Sequence, residues 1–339
     1  MKPLVSILIA AYNAEKTIAY TLRSVVAQTW PRIEIIVIDD GSKDGTVDVI
    51  RQFKNVKVVS TENRGLSAAL NTALERYQGD YLQYVDADDL LSPDKIERQL
   101  EARQSGDSPR MLLSSPWAHF YYRTRNAHFV RNPLCQDLSP VEWLLRKLGQ
   151  DCHMQNATWL VSREVAQKAG PWDAGLAYDQ DGEYFTRVLL ASDGVRFVPG
   201  TGIYYRVTGM SSISFIGSSN KKKDSLLRSI KLHIQYIRSL EDSERVRKAC
   251  LAYLQKYYAV FYPERTDIIA EMQQLAAQLQ GRLEEPRLRW KYNWLRNIVG
   301  YPKARDAQFY LPQFKASLLR SWDKALFHLE RSPSLCQIR

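Results

Sequence analysis

Tyr84-Val85-Asp86-Ala87-Asp88-Asp89 sets three carboxylates at the end of a short apolar run, Tyr81 to Val85. The run reads as a buried strand of a parallel sheet. Carboxylates that follow such a strand face the crevice where open α/β sheets bind ligands. Asp86 and Asp88 stand at i and i+2, so in extended chain they point the same way. Such a pair suits a hard divalent cation, and the cation suits a diphosphate. The plain alternative is a solvated acidic loop that caps the next helix. The surrounding sequence has to decide between them.

Upstream, strands and helices alternate. Val5 to Ala11 is a continuous apolar run and a strand; Asn13 is the expected N-cap of a helix over Ala14 to Gln28. Ile33 to Ile38 is the next strand, ending in Asp39-Asp40-Gly41-Ser42. A short helix (Val47 to Phe53), a strand (Val56 to Ser60) and a helix from Leu66 to about Tyr77 follow. Strict alternation predicts a parallel, doubly wound sheet with right-handed crossovers. Asp39, Arg64 and Asp86 then share one edge of it. Gly41, Gly45 and Gly65 read as turn residues. No G-x-G-x-x-G follows the first strand and no G-K-[ST] occurs, which argues against a dinucleotide dehydrogenase and a P-loop NTPase.

Four pieces occur in order: VSILIAAYNAEKTIAYTLRSVVAQT, IEIIVIDDGSKDGT, ENRGLSAALN and YVDADDLLSPDKI. Together they resemble the N-terminal half of a family 2 glycosyltransferase of the GT-A fold. The resemblance covers residues 4 to 100 and continues more weakly to about residue 215. It implies a Rossmann-like, mostly parallel sheet flanked by helices and a nucleotide diphosphate sugar as donor. Ala11 and Tyr12 match the lining of the base pocket. Asp39 matches the acceptor for the nucleobase ring N–H, which suits uracil or thymine and leaves guanine open. Arg64 falls near base and phosphates, Asp86 on the ribose side, and Asp88 on the metal. Asp89 is open between that cluster and a cap for the helix near Pro93.

Sugar transfer needs a base for the acceptor hydroxyl and stabilisation of the leaving diphosphate. The family places its base in an acidic pair that opens a helix, with an Arg several residues on. The matching stretch runs from Tyr178 to Arg187, and counting back from Arg187 aligns Asp181 with the base. Gln180 departs from the usual acidic neighbour, and Asp179 and Glu183 are rivals. The alternative is that Asp179 or Asp181 simply caps the helix to Ala191. One base and no evident nucleophile imply a single displacement with inversion. Oxygen ligands imply Mg²⁺ or Mn²⁺. No His follows Tyr205-Arg206, so a complete protein cage for the metal is not expected. His153 and Trp159 lie where an acceptor passes, as hydroxyl ligand and sugar platform or as packing residues. Trp172 reads as core.

The chain has 339 residues and 45% hydrophobic content, enough for a catalytic unit and an appendage. The catalytic unit is expected over 1–220, in a nucleotide-sugar half to about 110 and an acceptor half over 111–220. Ser211 to Asn220 marks the boundary, and 221–339 reads as a basic all-helical extension. After residue 220 there are 23 Lys and Arg against 12 Asp and Glu; before it, 24 against 25. Helices are expected over Asp224 to Leu240, Ser243 to Val260, Arg265 to Gln280, Leu288 to Ile298, and near Leu311 to Leu329. Arg287 to Val299 mixes Arg and Lys with Trp, Tyr and Leu, as helices at an anionic membrane surface do. The alternative is a bundle with buried Trp residues. A glycan or lipid-linked acceptor fits the membrane reading. Nucleic-acid binding has no accompanying motif. Arg289-Trp290 matches the end of the Q-x-x-R-W motif of processive synthases, but Pro286 stands at the Gln position, so transfer of single sugars is expected. Four scattered cysteines and the absence of a signal peptide or spanning run predict a cytoplasmic protein, peripheral on the inner face of the membrane. Two other classes remain: a sugar-nucleotide pyrophosphorylase, whose Gly-rich loop is missing after the first strand, and a non-catalytic binding protein on a degenerate transferase fold.

Overall fold

The computed structural model describes residues 2–104, 106–208, 216–217 and 219–331. The expected boundary Ser211 to Asn220 falls mostly outside them, as does Cys336. The N-terminal half runs β1 (Val5–Ala11), α1 (Ile18–Val26), β2 (Ile33–Asp39), α2 (Thr46–Arg51), β3 (Val56–Ser60), α3 (Leu66–Leu74), β4 (Tyr81–Tyr84), β5 (Leu90–Leu91) and α4 (Lys95–Glu101). Next come β6 (Met111–Ser114), β7 (Trp117–Phe120), β8 (His128–Phe129), α5 (Pro140–Gly149), β9 (Val161–Ser162), α6 (Arg163–Ala169), α7 (Gln180–Ala191), β10 (Gly194–Phe197) and β11 (Ile203–Arg206). Five helices close the chain: α8 (Asn220–Leu240), α9 (Glu244–Phe261), α10 (Thr266–Gln278), α11 (Trp290–Val299) and α12 (Tyr301–Arg331).

The central sheet has the order β3-β2-β1-β4-β9. Its first four strands are parallel, and β9 adds antiparallel to β4. Register sets the edge. Ala11 pairs with Asp39 and Asp39 with Ser60, so three strands end level. Leu8 pairs with Tyr84, which carries the acidic stretch after β4 to the same edge. The runs VSILIAA and IEIIVID are buried on both faces, as continuous β-branched strands of a covered parallel sheet are. α1 seals one face with Ile18, Leu22 and Val25, a spacing that repeats each turn.

Two layers of core flank the sheet. One links α1 and the β1–β2 face to β6 and β7. The other runs from Leu8 and Tyr84 through α5 and α7 into α8, α9 and α10 without a break. The first three helices of the basic extension thus pack into the body. α11 and α12 join through a small cluster of Leu288, Tyr292 and Ala304.

Several local expectations are corrected. Asn13 caps no helix: it takes φ 48° and its Oδ1 accepts the Lys43 N–H at 2.8 Å, while α1 starts later, at Ile18. Asp89 does not cap the helix after Pro93, which begins at Lys95 with Asp94 ahead of it. The last helix is longer than Leu311 to Leu329, running from Tyr301 to Arg331 straight through Pro312.

Candidate active site

A cleft of about 1010 Å³ opens at the carboxyl edge of the sheet. Ala11 and Tyr12 reach it from the end of β1, Asp86 and Asp88 from the loop after β4, and Asp179, Gln180 and Asp181 from the start of α7. Trp117 and His119 of β7, His153 and Tyr205 complete the far wall. Of the seven residues singled out from the sequence as catalytic, nucleotide-binding or metal-binding, Ala11, Tyr12, Asp86, Asp88 and Asp181 line this one space. The other two do not. Asp39 lies just under its floor, 2% exposed, with its carboxylate accepting the Ser42 N–H at 3.2 Å. Arg64 is exposed between two lining residues, Asn63 and Gly65. Asp40 fixes that loop by accepting the N–H groups of Arg64 (2.8 Å) and Gly65 (2.9 Å).

The carboxyls crowd one another. Asp86 is pushed up to about 7 by burial, then by the charge of Asp88, with that of Asp181 adding to it; bonds from Asn156 and Gln155 pull the other way. Those amides hold it at 3.0 and 3.2 Å. Asp88 is also raised by burial, against the pull of the Arg206 guanidinium. Asp89 is raised well above the carboxylate range by burial and by its two acidic neighbours. One Asp89 oxygen accepts the Arg206 N–H at 2.8 Å, and the other is buried without a partner.

A divalent cation fits this donor set. Two cleft-lining carboxyls, Asp86 and Asp88, repel each other, and a cation between them and a bound diphosphate would remove that repulsion. Among the described residues no three His, Cys, Asp or Glu side chains converge into a closed metal shell. The remaining ligands would be oxygens from diphosphate and water.

The Asp181 side is set by α7. Asp179 holds the N-cap position in left-handed conformation (φ 60°) but makes no side-chain cap; its carboxylate accepts the Ser229 hydroxyl. Asp181 sits in the first turn. Burial, then the Asp179 charge, raise its pKa, while its own and the Gly182 N–H groups oppose the rise. Glu183 is already occupied: Arg187 grips it at 2.7 and 2.8 Å, and the Tyr236 hydroxyl at 2.8 Å. Of the three acids in this turn, Asp179 and Asp181 reach the cleft, and Asp181 lies inside the helix start where the N-terminal dipole favours an anion. Lys147 backs the turn by donating to Gly182 O (3.2 Å) and Thr186 Oγ1 (3.2 Å).

The floor joins the two sides. Tyr84, the last residue of β4, and Tyr184 of α7 share a hydroxyl bond of 2.7 Å, and Trp172 stacks on Tyr184 at 4.1 Å. Trp172 is core, as expected. Trp159 is corrected: it is 1% exposed, packs against Trp143 and Phe185, and reaches no cleft. His153 does line the cleft, with its ring 5.0 Å from that of Trp117. Trp117 and His119 escaped the sequence reading. Trp117 Nε1 and His119 Nδ1 are buried without hydrogen-bond partners. Their i and i+2 spacing in Trp-Ala-His-Phe was the available signal, because it puts both on one face of a strand.

The family model described as glycosyl transferase family 2 matches residues 6–130. TuaG of Bacillus subtilis, provisionally named as a teichuronic acid biosynthesis glycosyltransferase, is 44% identical over 105 residues, covering 30% of this chain and 42% of that one. The UDP-Glc:α-D-GlcNAc-diphosphoundecaprenol β-1,3-glucosyltransferase WfaP of Escherichia coli is 41% identical over 100 residues, 29% of this chain and 40% of that one. The matched stretch thus spans less than half the length of these relatives. Among solved structures, a fragment of S. aureus TarS in complex with UDP-GlcNAc shares the fold with a TM-score of 0.65, at 16% identity over 81% of each chain.

Proposed function

Starting from a family 2 glycosyltransferase assignment of this chain, carried by residues 6–130, we propose that it moves a single sugar from a nucleotide diphosphate sugar to an acceptor hydroxyl with inversion. The observation that carries this reading is the meeting of Asp86, Asp88 and Asp181 in one cleft beside Ala11 and Tyr12. The acceptor belongs to glycan, polysaccharide or glycolipid synthesis, and likeness to WfaP favours a lipid-linked one. A uridine donor is favoured by likeness to proteins that use or bind UDP-sugars.

Residue roles follow from placement. Ala11 and Tyr12 flank the base, and Asp39 supports the Gly41-Ser42 turn beneath it. Asp88, with Asp86 beside it, would hold Mg²⁺ or Mn²⁺, which supplies positive charge for the departing diphosphate. Asp181 takes the acceptor proton; its raised pKa makes it a stronger base than a free carboxylate and so better matched to a hydroxyl. Residues 1–220 form the catalytic unit in this reading, in two halves meeting near residue 110.

The decisive experiment is release of free UDP from a panel of UDP-sugars, with and without Mn²⁺. GDP- and dTDP-sugars serve as the specificity arm. Wild-type protein is expected to release UDP only with the cation. Asp181→Asn should lose at least ~100-fold of turnover while keeping nucleotide affinity, the usual span for a general base. Asp88→Ala should lose the cation dependence of nucleotide binding. No release from any donor would leave the non-catalytic alternative standing, for which Gln180 is the motif departure.

A further inference from the structure

α12 is amphipathic the wrong way round for a surface helix. Its charged face turns inward. Asp323, 7% exposed, accepts the backbone N–H groups of Tyr122 and Arg123 and the Arg123 Nε at 2.7 Å. Glu330 pairs with Arg123 at 2.8 Å, and Arg320 donates to Thr208 O. Those contacts fix the roll of the helix. The opposite face carries Leu311, Phe314, Leu318, Trp322 and Leu329, spaced three, four, four and seven apart. That spacing is one stripe of a helix. Phe314 and Trp322 are 65% and 66% exposed, and Leu311 and Leu318 exceed half. A soluble helix turns such a stripe toward the core. The neighbouring α11 repeats the pattern with Trp290, Trp294 and Ile298, at 87%, 60% and 69% exposure. The expectation that these tryptophans pack inside a bundle is thereby overturned.

We infer that the α11–α12 pair is a docking face for an anionic lipid bilayer, lying in the plane of its surface and seating the cleft beside the lipid. The inference deepens the proposed function, because it rests on an acceptor presented at a membrane. Charge selects the occupant. Residues 287–331 hold ten Lys and Arg against three Asp and Glu. All three acids are engaged: Asp323 and Glu330 by Arg123, and Asp306 by Arg305. Lys291, Lys303 and Lys315 stand exposed along the edges of the stripes. A second copy would set these cations against their own likeness, whereas anionic headgroups neutralise them. Tryptophan at the seam between apolar and charged residues suits the headgroup level. Among the described residues no helix is long and apolar enough to cross a membrane, so insertion is shallow. The link to the cleft is direct. Thr208, which Arg320 holds, lines the cleft. Phe327 packs on Tyr20, and the Arg206 guanidinium lies over Tyr20 while its Nε donates to Asp88 O at 2.9 Å.

Co-sedimentation of the full chain with lipid vesicles tests this. Vesicles of phosphatidylcholine and phosphatidylglycerol in about equal parts should bind it, and pure phosphatidylcholine should bind it far less. Phe314→Ser and Trp322→Ser should each weaken binding by about ten-fold, as expected for withdrawing a large apolar side chain. Lys291→Gln, Lys303→Gln and Lys315→Gln should each cost about five-fold, less at high salt. All five positions are exposed, and circular dichroism confirms that the variants stay folded. Wild-type levels of binding in the Phe314 and Trp322 variants, or no binding to anionic vesicles, would overturn the inference. So would a dimer in solution, by light scattering, that Trp322→Ser splits into monomers. UDP release without vesicles is read in parallel. Vesicle binding without UDP release would sink the transferase reading alone, and the reverse would sink the docking face alone.

Discussion

Asp86 is a cleft-lining residue whose protonation the site controls strongly. Its pKa of about 7 in the folded chain stands above the ordinary carboxylate value of 3.8. Between those two values the folded protein keeps a proton that the unfolded chain has released, so stability falls as pH rises through that window and stays lower above it. Asp86→Asn removes the penalty. The variant is expected to melt higher than wild type at about pH 8 without metal, and at the same temperature at about pH 4; each kcal/mol relieved is worth about 1–2 °C in a chain this large. Equal melting at both pH values would show that the carboxyls are not crowded. Mn²⁺ should narrow the gap. Asp181 carries the matching kinetic expectation: turnover falls as pH drops through a pKa above 3.8, because the base must be ionised to accept a proton. Most site residues were legible because they follow apolar runs at strand ends, where position alone assigns a face. Trp117 and His119 were not, since nothing in a four-residue strand announces which cleft it will wall. Trp159 misled because exposure of an aromatic cannot be read from its neighbours in sequence.

α7 shows how much one element start can depend on a single missing side chain. Asp179 turns left-handed and folds its carboxyl back over the helix, so a Cβ on Gly182 would stand 2.1 Å from Asp179 Oδ1. Gly182→Ala gains about 1 kcal/mol of helix propensity. Against that, the overlap forces the Asp179 carboxyl off its Ser229 hydroxyl, and overpacking of this kind costs about 1–3 kcal/mol. The overlap should win. The variant is expected to melt lower and to lose at least ~10-fold of turnover, because Asp181 is one residue away. Unchanged melting and turnover would show that the turn is loose. At this scale β1 to β4 were read from sequence to within a residue, because long β-branched runs between turns have no competing conformation. The two-residue strands β5, β8 and β9 carry no periodicity and exist only through their partners. The start of α7 was legible through the acidic turn, but the Gly182 contact was not, since it depends on the left-handed backbone of Asp179, which composition does not specify.

The whole molecule is closed by a clasp between distant parts. Arg123 and Asp323 pair at 2.7 Å with both side chains about nine-tenths buried, and Glu330 adds a second arm. Burial raises the Asp323 carboxyl, but bonds from Arg123 and from two backbone N–H groups outweigh it and bring its pKa below the ordinary value. The clasp therefore contributes fully above the unfolded carboxylate pKa and is lost as pH falls below it. Asp323→Ala should release the end of α12, seen as faster amide exchange over residues 316–331 with β1 to β4 unaffected. Protection equal to wild type would mean that other contacts of α12, such as Arg320 to Thr208 and Phe327 to Tyr20, hold the helix without the clasp. The basic helical tail was legible from its charge and spacing. Its return to the loop after β7 was not, because one Arg and one Asp two hundred positions apart leave no pattern in a single sequence.

The phenol pair beneath the cleft has a consequence for selectivity. Tyr84 ties the strand that carries the acidic loop to the helix that carries Asp181, and Trp172 clamps the joint. The two jaws therefore behave as a fixed caliper. On the proposed function, that fixed spacing would bound the size of sugar that fits between them.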